Sequence, residues 1–173
     1  MKKYNTIYAD PPWKQGMSGK YKKHKSLADL EYPTMTIAEI KNLPINELAE
    51  TGCHLWLWTT NQYLRSGFEV MESWGFKYLA PITWVKPSGI GNWFIHRTQT
   101  LLFGYKEKCI FNNERYKPTV LIESLPKKHS QKPAGMRKLI ECISGTPRIE
   151  LFARGKTEGW DVCGNEVESD IEL

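Results

Sequence analysis

Three features of the 173-residue sequence predict an α/β domain built on a mainly parallel sheet. Short β-prone runs alternate with segments whose apolar residues recur at helical spacing, the pattern of strands joined by crossover helices. The first such run stops at two consecutive prolines. The composition, 40% hydrophobic and 25% charged, is that of a globular chain and not of a disordered, collagen-like or membrane-spanning one. One core is the default at this length, so residues 1–173 are read as a single domain.

Taken in order, residues 4–9 form a β-prone run that ends at Asp10-Pro11-Pro12-Trp13, where proline forbids further ladder pairing. Residues 14–32 are polar, rich in Lys and Gly and without periodicity, which predicts a long loop and a candidate mobile substrate loop. Thr36-Ile37-Ala38-Glu39 is a capping box, so a short helix should begin near Thr36. The run His54-Leu55-Trp56-Leu57-Trp58-Thr59 has strand length, and Leu64, Phe68, Met71 and Trp74 then fall at helical offsets. Residues 78–85 and 99–104 repeat the strand signature on either side of Pro87-Ser88-Gly89-Ile90-Gly91, which reads as a turn. Met136, Leu139, Ile140 and Ile143 predict a helix closed by Gly145, and Arg148-Ile149-Glu150-Leu151-Phe152 is the last clear strand. A ligand is expected outside the carboxyl ends of the strands.

The formal charge of +5 is unevenly spread. Seven lysines and a single acid, Asp10, lie before residue 26, whereas six acids and no base follow Lys156; residues 167–173 form an acidic tail. In Lys20-Tyr21-Lys22-Lys23-His24-Lys25 a tyrosine that could stack is interleaved with lysines that could hold phosphates, against the plainer reading of a solvated loop. The four cysteines are widely spaced, with no C-x-x-C pair, so neither a zinc site nor a disulfide framework is suggested. The apolar stretch before Asp10 is too brief for a signal-peptide core, and no transmembrane segment is indicated; a cytoplasmic protein is expected.

Two familiar phosphate-binding patterns fail. Gly155-Lys156-Thr157 lacks the earlier glycine of a Walker loop, because Glu150 stands there, and Gly89-x-Gly91 has Phe94 at the third position of the dinucleotide fingerprint. Asp10-Pro11-Pro12-Trp13 carries more. An exocyclic amine on an aromatic base is a poor nucleophile because its lone pair is delocalised into the ring. Two acceptors on its N–H groups hold the nitrogen nearer a tetrahedral, reactive geometry, and the Asp10 carboxylate and Pro11 carbonyl suit that task. Pro12 keeps Pro11 extended and both rings fix φ, so the carbonyl is aimed in advance. Trp13 offers a face for an extruded base, a contact typically worth about 1–3 kcal/mol. The plainer alternative is a Pro-Pro turn with Trp13 packed on the core.

These residues resemble the MT-A family of N6-adenine methyltransferases, which includes the catalytic subunit of the eukaryotic messenger-RNA adenosine methyltransferase. The likeness spans almost the whole chain: Asp10-Pro11-Pro12-Trp13, Tyr32-Pro33-Thr34-Met35, Leu55-Trp56-Leu57-Trp58-Thr59, Trp84-Val85-Lys86, Gly91-Asn92-Trp93-Phe94, His129-Ser130-Gln131-Lys132-Pro133, Arg148 to Arg154 and Gly159 to Glu166. It implies a Rossmann-like methyltransferase fold in circularly permuted order, with the catalytic strand early and the cofactor strand late. It also implies S-adenosylmethionine as methyl donor, Asp10 between donor and amine, Lys132 on the methionine carboxylate and Glu150 on the ribose hydroxyls. Asn165 falls on the adenine edge, with Leu151, Phe152, Arg154 and Glu166 beside the cofactor. Each role suits the residue: a strand-end carboxylate for a diol, a lysine before a helix start for a carboxylate, an amide for an adenine edge. The sequence departs from the eukaryotic subunit where Gly155-Lys156-Thr157 replaces a His-Asn pair after Arg154, which withdraws ribose contacts from that loop.

The resulting expectation is a stand-alone or homodimeric enzyme that methylates the N6 amine of adenine in DNA by direct in-line displacement, without a metal. The same reaction on RNA, and a catalytically idle scaffold subunit, are the alternatives. Lys20, Lys22, Lys23, Lys25, Lys127 and Lys128 are the candidate phosphate contacts, with Tyr32, Trp58 and Arg97 on the substrate side.

Overall fold

A computed structural model describes residues 2–14, 33–90, 93–112, 117–124 and 132–173. Seven strands form one sheet: β1 (Tyr4–Ala9), β2 (Ala49–Thr59), β3 (Lys77–Ile90), β4 (His96–Tyr105), β5 (Val120–Ile122), β6 (Arg148–Leu151) and β7 (Asp161–Cys163). Their order is β5-β3-β4-β2-β1-β6-β7. All pairings are parallel except those of β4, which runs against both β2 and β3. The expected mainly parallel sheet is therefore present, with one reversed strand supplied by the β3–β4 hairpin.

Helices cover both faces, and the alternation of side chains along β1 decides which residue faces which layer. Ile7 and Ala9 point to the layer formed by α1 (Ile37–Lys41), α2 (Ile45–Leu48) and α3 (Leu64–Ser73), packing with Ile40, Leu48, Val70 and Met71. Tyr8 points to the other layer with Trp56, Trp58 and Trp84, under Met136, Ile140 and Ile143 of α4 (Ala134–Ile143). The capping box at Thr36 forms as read: Thr36 Oγ1 accepts from the Glu39 amide, and the Glu39 carboxylate accepts from the Thr36 amide. Among the described residues no helix is long and apolar enough to cross a membrane.

Two local expectations are corrected. Pro87, Ser88, Gly89 and Ile90 lie within β3, not in a turn. The ladder accommodates Pro87 because its register shifts between Val85 and Ile90, and Gly89 is needed where the strands touch: a Cβ there would sit 2.3 Å from the His96 carbonyl oxygen. Gly145 is not the cap of α4. That cap is Ser144, in extended conformation with its amide on the Ile140 carbonyl, while the Gly145 carbonyl accepts from Thr6 Oγ1. Strand β5 and helix α2, three and four residues long, lack the length for a periodic signal.

The acidic tail is tied to the sheet edge. The Asp170 amide donates to the Val162 carbonyl, the Asp170 carboxylate accepts from the Val162 amide at 2.8 Å, and Ile171 packs on the core.

The position of β1 creates the site. It lies between β2 and β6, parallel to both; the chain leaving β1 returns through β2 on one side and the chain leaving β6 returns through β7 on the other. Two parallel neighbours whose connections diverge make a topological switch point, where open α/β sheets leave a crevice beyond the strand ends. Asp10 follows β1 there, and Glu150 lies near the end of β6. An early strand and a late strand thus meet, as the permuted order requires.

Buried His54 makes the fold acid-sensitive. It is 1% exposed, bonded through Nδ1 to Ser144 Oγ at 2.8 Å and flanked by the rings of Phe103 and Phe111. Burial pulls its pKa from 6.5 down to about 4. The unfolded chain binds this proton more readily, so stability should fall as pH drops from 6.5 to 4, by up to about 3 kcal/mol. Urea denaturation across this range should show that acid loss for the wild type and a flatter profile for His54→Gln; superimposable profiles would contradict the assignment.

Candidate active site

The exit from β1 is held at every residue. The Pro11 carbonyl accepts from the Trp13 amide at 2.8 Å, closing a tight turn around Pro12, and the Pro12 carbonyl accepts from the Met35 amide at 3.0 Å. Trp13 Nε1 donates to the Trp58 carbonyl at 3.1 Å, and its ring stacks on Tyr63 with centroids 5.3 Å apart. Tyr63 in turn donates its hydroxyl to the Lys14 carbonyl. Asp10 is half-buried at the head of this turn.

Trp13 is only 4% exposed. The open stacking platform expected of it is not what the structure presents, because one face is covered by Tyr63 and the indole N–H is committed to β2. It is a packed wedge that fixes the turn, so the plainer reading of this one side chain is the correct one. Trp58 is corrected likewise: it is 1% exposed and lies under the site, not on the substrate surface. Trp58 Nε1 donates to Tyr8 Oη at 2.7 Å, and the Lys132 ammonium sits 5.3 Å from the ring centroid, a cation–π contact.

Lys132 closes the arrangement. Its Nζ lies 2.5 Å from Asp10 Oδ2, a charge-assisted hydrogen bond across 122 positions of sequence. The lysine expected on a cofactor carboxylate is thus also the counter-ion of Asp10. An ammonium has three donors, so the two tasks are compatible. The start of α4 is less available than expected. The Gly135 amide is already taken by the Glu123 carboxylate, at 3.1 Å to one oxygen.

On β6, Glu150 stands in register with Tyr8 and receives Arg137 Nη2 of α4 at 2.6 Å. Burial pushes the Glu150 carboxyl above its usual range, opposed by the Arg137 charge. The Arg137 guanidinium lies 5.5 Å from the centroid of Tyr8 and 5.2 Å from that of Trp160. Its Nη1 is buried with no hydrogen-bond partner among the described residues. Sequence reasoning does not find Arg137. Its one signal is a charged residue directly after Met136 in a helix with an apolar stripe.

Beyond Glu150 the chain turns sharply. Phe152 has φ +60°, a left-handed conformation that a bulky residue adopts only where its surroundings impose it, as functional sites often do. The Leu151 side chain is buried on the opposite face, so only its backbone can serve the cofactor side. The Ala153 amide donates to the Cys163 carbonyl at 3.0 Å, which holds the ends of β6 and β7 side by side. Gly164 packs so closely that a Cβ would sit 2.1 Å from the Ala153 carbonyl oxygen. The exposed Asn165 and Glu166 come next, with Glu166 Oε1 3.5 Å from Arg154 Nε. These groups fit a nucleoside-type cofactor: a buried carboxylate at a strand end, a neighbouring buried guanidinium N–H still to be satisfied, and an amide at the next strand end.

Arg97 is exposed on the β3–β4 hairpin and donates from Nε to the Lys86 carbonyl at 3.0 Å. Lys86 lies 5.8 Å from the Trp84 ring centroid, and burial, together with the charge of Lys132, pulls its amine below the ordinary lysine range. Lys20, Lys22, Lys23, Lys25, Tyr32, Lys127 and Lys128 lie outside the described residues.

A mainly parallel sheet with an Asp-Pro-Pro turn at its switch point, a lysine on that aspartate and a carboxylate on the adjoining strand defines a Rossmann-like α/β methyltransferase. The MT-A70 family model matches residues 4–166, and the chain belongs to that family. It is 30% identical over 190 residues to the type II methyltransferase M.MunI of a Mycoplasma species, an alignment covering 99% of this chain and 82% of that protein. It is also 33% identical to a putative N(6)-adenosine-methyltransferase MT-A70-like protein of Medicago truncatula, over 95% of this chain and 26% of the relative. To the human N(6)-adenosine-methyltransferase catalytic subunit METTL3 it is 29% identical, over 96% of this chain and 28% of the relative. The chain therefore spans most of the Mycoplasma protein but about a quarter of the plant and human ones. Membership implies S-adenosylmethionine as the methyl donor.

Arg137 and Glu150 should be energetically coupled. Arg137→Met leaves a largely buried carboxylate without its counter-charge and should destabilise the fold by about 2 kcal/mol, whereas Arg137→Met combined with Glu150→Gln should recover more than half of that loss. Chemical denaturation of the two single variants and the double variant measures the coupling; additive losses would show that the pair does not interact.

Proposed function

We propose that the protein transfers a methyl group from S-adenosylmethionine to the N6 amino group of adenine in DNA. The observation that carries this reading is the immobilised Asp10-Pro11-Pro12 turn at the switch point, facing Glu150 on the neighbouring strand. When bound, S-adenosylmethionine supplies an electrophilic methyl group.

The chain's residues supply position. Asp10, with Oδ2 engaged by Lys132, presents Oδ1 to one amine hydrogen, and the Pro11 carbonyl keeps a second lone pair for the other. Both acceptors are set before substrate arrives, which is where electrostatic preorganisation gains over water. With the donor bound, the amine nitrogen so held would take the methyl group directly as its bond to sulfur breaks, S-adenosylhomocysteine would leave as a neutral thioether, and the surplus amine proton would pass to Asp10 or to water. Lys132 and Glu150 are the groups assigned to the methionine carboxylate and the ribose diol, Asn165 to the adenine edge, and Leu151, Phe152, Arg154 and Glu166 to the adjoining backbone and rim. The target adenine must leave its stack to reach Asp10, at a cost of a few kcal/mol in a duplex.

DNA is favoured because the relative whose length the chain nearly matches is a type II methyltransferase. RNA is the second reading, since the plant and human relatives are named as N(6)-adenosine-methyltransferases. Matched DNA and RNA oligonucleotides given labelled methyl donor separate the two.

Asp10→Ala should lower the methylation rate at least about 100-fold while the circular dichroism spectrum and calorimetric S-adenosylmethionine binding persist. Glu150→Gln should instead weaken cofactor binding about tenfold and leave the saturated rate nearly unchanged. Retained activity in Asp10→Ala would refute the role given to that carboxylate.

A further inference from the structure

The sequence holds seven tryptophans. Six are buried, and each donates its indole N–H to a defined acceptor: Trp13 to Trp58, Trp56 to Ser144, Trp58 to Tyr8, Trp74 to Ile40, Trp84 to Glu123 and Trp160 to Glu141. Trp93 is different. It is 94% exposed, and it is followed by Phe94 at 77% and Ile95 at 62%. Three consecutive large apolar residues held in water cost solubility and stabilise nothing in the fold, which marks them as an interaction surface.

Their place in the fold indicates the partner. β2 makes its last pairing at Thr59 with Thr100 of β4, and Thr100 pairs with Thr83 of β3. β5 leaves β3 at Val85. Beyond these points β3 and β4 continue as a two-stranded ribbon that closes at the Ile90–His96 pair. Thr98 and His96 lie only two positions apart on β4, so the ribbon runs roughly 7 Å past the sheet before its tip, the extra residues of β3 being taken up by the register shift. The direction of β3 matches that of β1, so the ribbon leaves the same edge of the sheet as Asp10, with β4 and β2 between them. Residues 86–97 contain Lys86, His96 and Arg97 and no acid. A cationic ribbon with an apolar aromatic tip, on the same sheet edge as a site that needs an unstacked adenine, has the chemistry of a side-chain wedge that enters a base stack. A second copy of the chain is a poorer fit: a tip three residues long is far below the ~800 Å² that each partner of a stable interface contributes.

We propose that Trp93 and Phe94, carried on the β3–β4 ribbon, insert into the base stack of duplex DNA beside the target adenine and hold open the gap that its extrusion leaves. This rests on the methyltransferase reading and adds to it a device for substrates that are still paired. The six buried tryptophans are committed within the fold; the seventh opens the substrate.

The test replaces Trp93, Phe94 and Ile95 by serine together, a change confined to exposed side chains. Methylation is measured on a duplex and on the same adenine in a single strand, and the duplex carries 2-aminopurine next to the target as a fluorescent reporter of unstacking. The variant should lose at least about tenfold in the ratio of duplex to single-strand kcat/KM, and the fluorescence rise seen when wild-type protein binds the duplex should disappear. An unchanged ratio with an unchanged fluorescence rise would overturn the proposal. So would a halving of the molecular mass of the variant in light scattering, since it would give the tip to a second copy. The fluorescence readout needs no methyl transfer, so a protein that unstacks the duplex but methylates nothing would count against the enzymatic reading and not against the wedge.

Discussion

The site depends on how β1 ends. A central parallel strand cannot simply continue into solvent, and two prolines stop its pairing; the Asp10–Trp13 exit must therefore be held by something other than the ladder. Trp13 provides this by reaching back to the Trp58 carbonyl on β2 while its ring is clamped by Tyr63. Trp58 then ties the same point to the strand from which the turn departs, through Tyr8 Oη. The loop is closed from β1 to its turn, to β2 and back to β1. Asp10 and the Pro11 carbonyl have little freedom left, and a pair of acceptors that does not reorganise is worth more to a developing charge than a flexible pair.

Charge is the second constraint. Two carboxylates, Asp10 and Glu150, stand at neighbouring strand ends in a partly buried crevice, where like charges without partners would be costly. Each has its own cation from the α4 segment: Lys132 just before the helix and Arg137 in its first turn. Both cations also lie against aromatic rings, Lys132 on Trp58 and Arg137 on Tyr8 and Trp160, so the tryptophan-rich layer beneath the site is an electrostatic support as well as a core. This accounts for indole and phenol groups, and not purely aliphatic side chains, in the layer under α4.

How far the sequence can be read depends on the kind of signal each feature leaves. The capping box at Thr36 and the periodicity of α3 and α4 are local, and they appear where expected. Asp10, Lys132 and Glu150 are legible as a set because their motifs occur together in family order, although no single spacing links residues 122 positions apart. Trp13 reads as an open platform because composition cannot say which face of a ring is covered; Tyr63, which covers it, lies 50 positions away. The Pro87 segment reads as a turn because Pro and Gly usually end pairing, yet a register shift absorbs both. Arg137 leaves almost no trace, since a single arginine in an amphipathic helix is ordinarily solvated. Its meaning comes only from Glu150, which the topology brings beside it.

The exit of β1, the two compensated carboxylates and the family membership converge on one chemical outcome, a methyl group on the adenine amine. Mass spectrometry of nucleosides from DNA incubated with the purified protein and S-adenosylmethionine tests it most directly. N6-methyladenine should appear and depend on both protein and cofactor. Methylation confined to cytosine, or no methylated nucleoside from either DNA or RNA, would contradict the account.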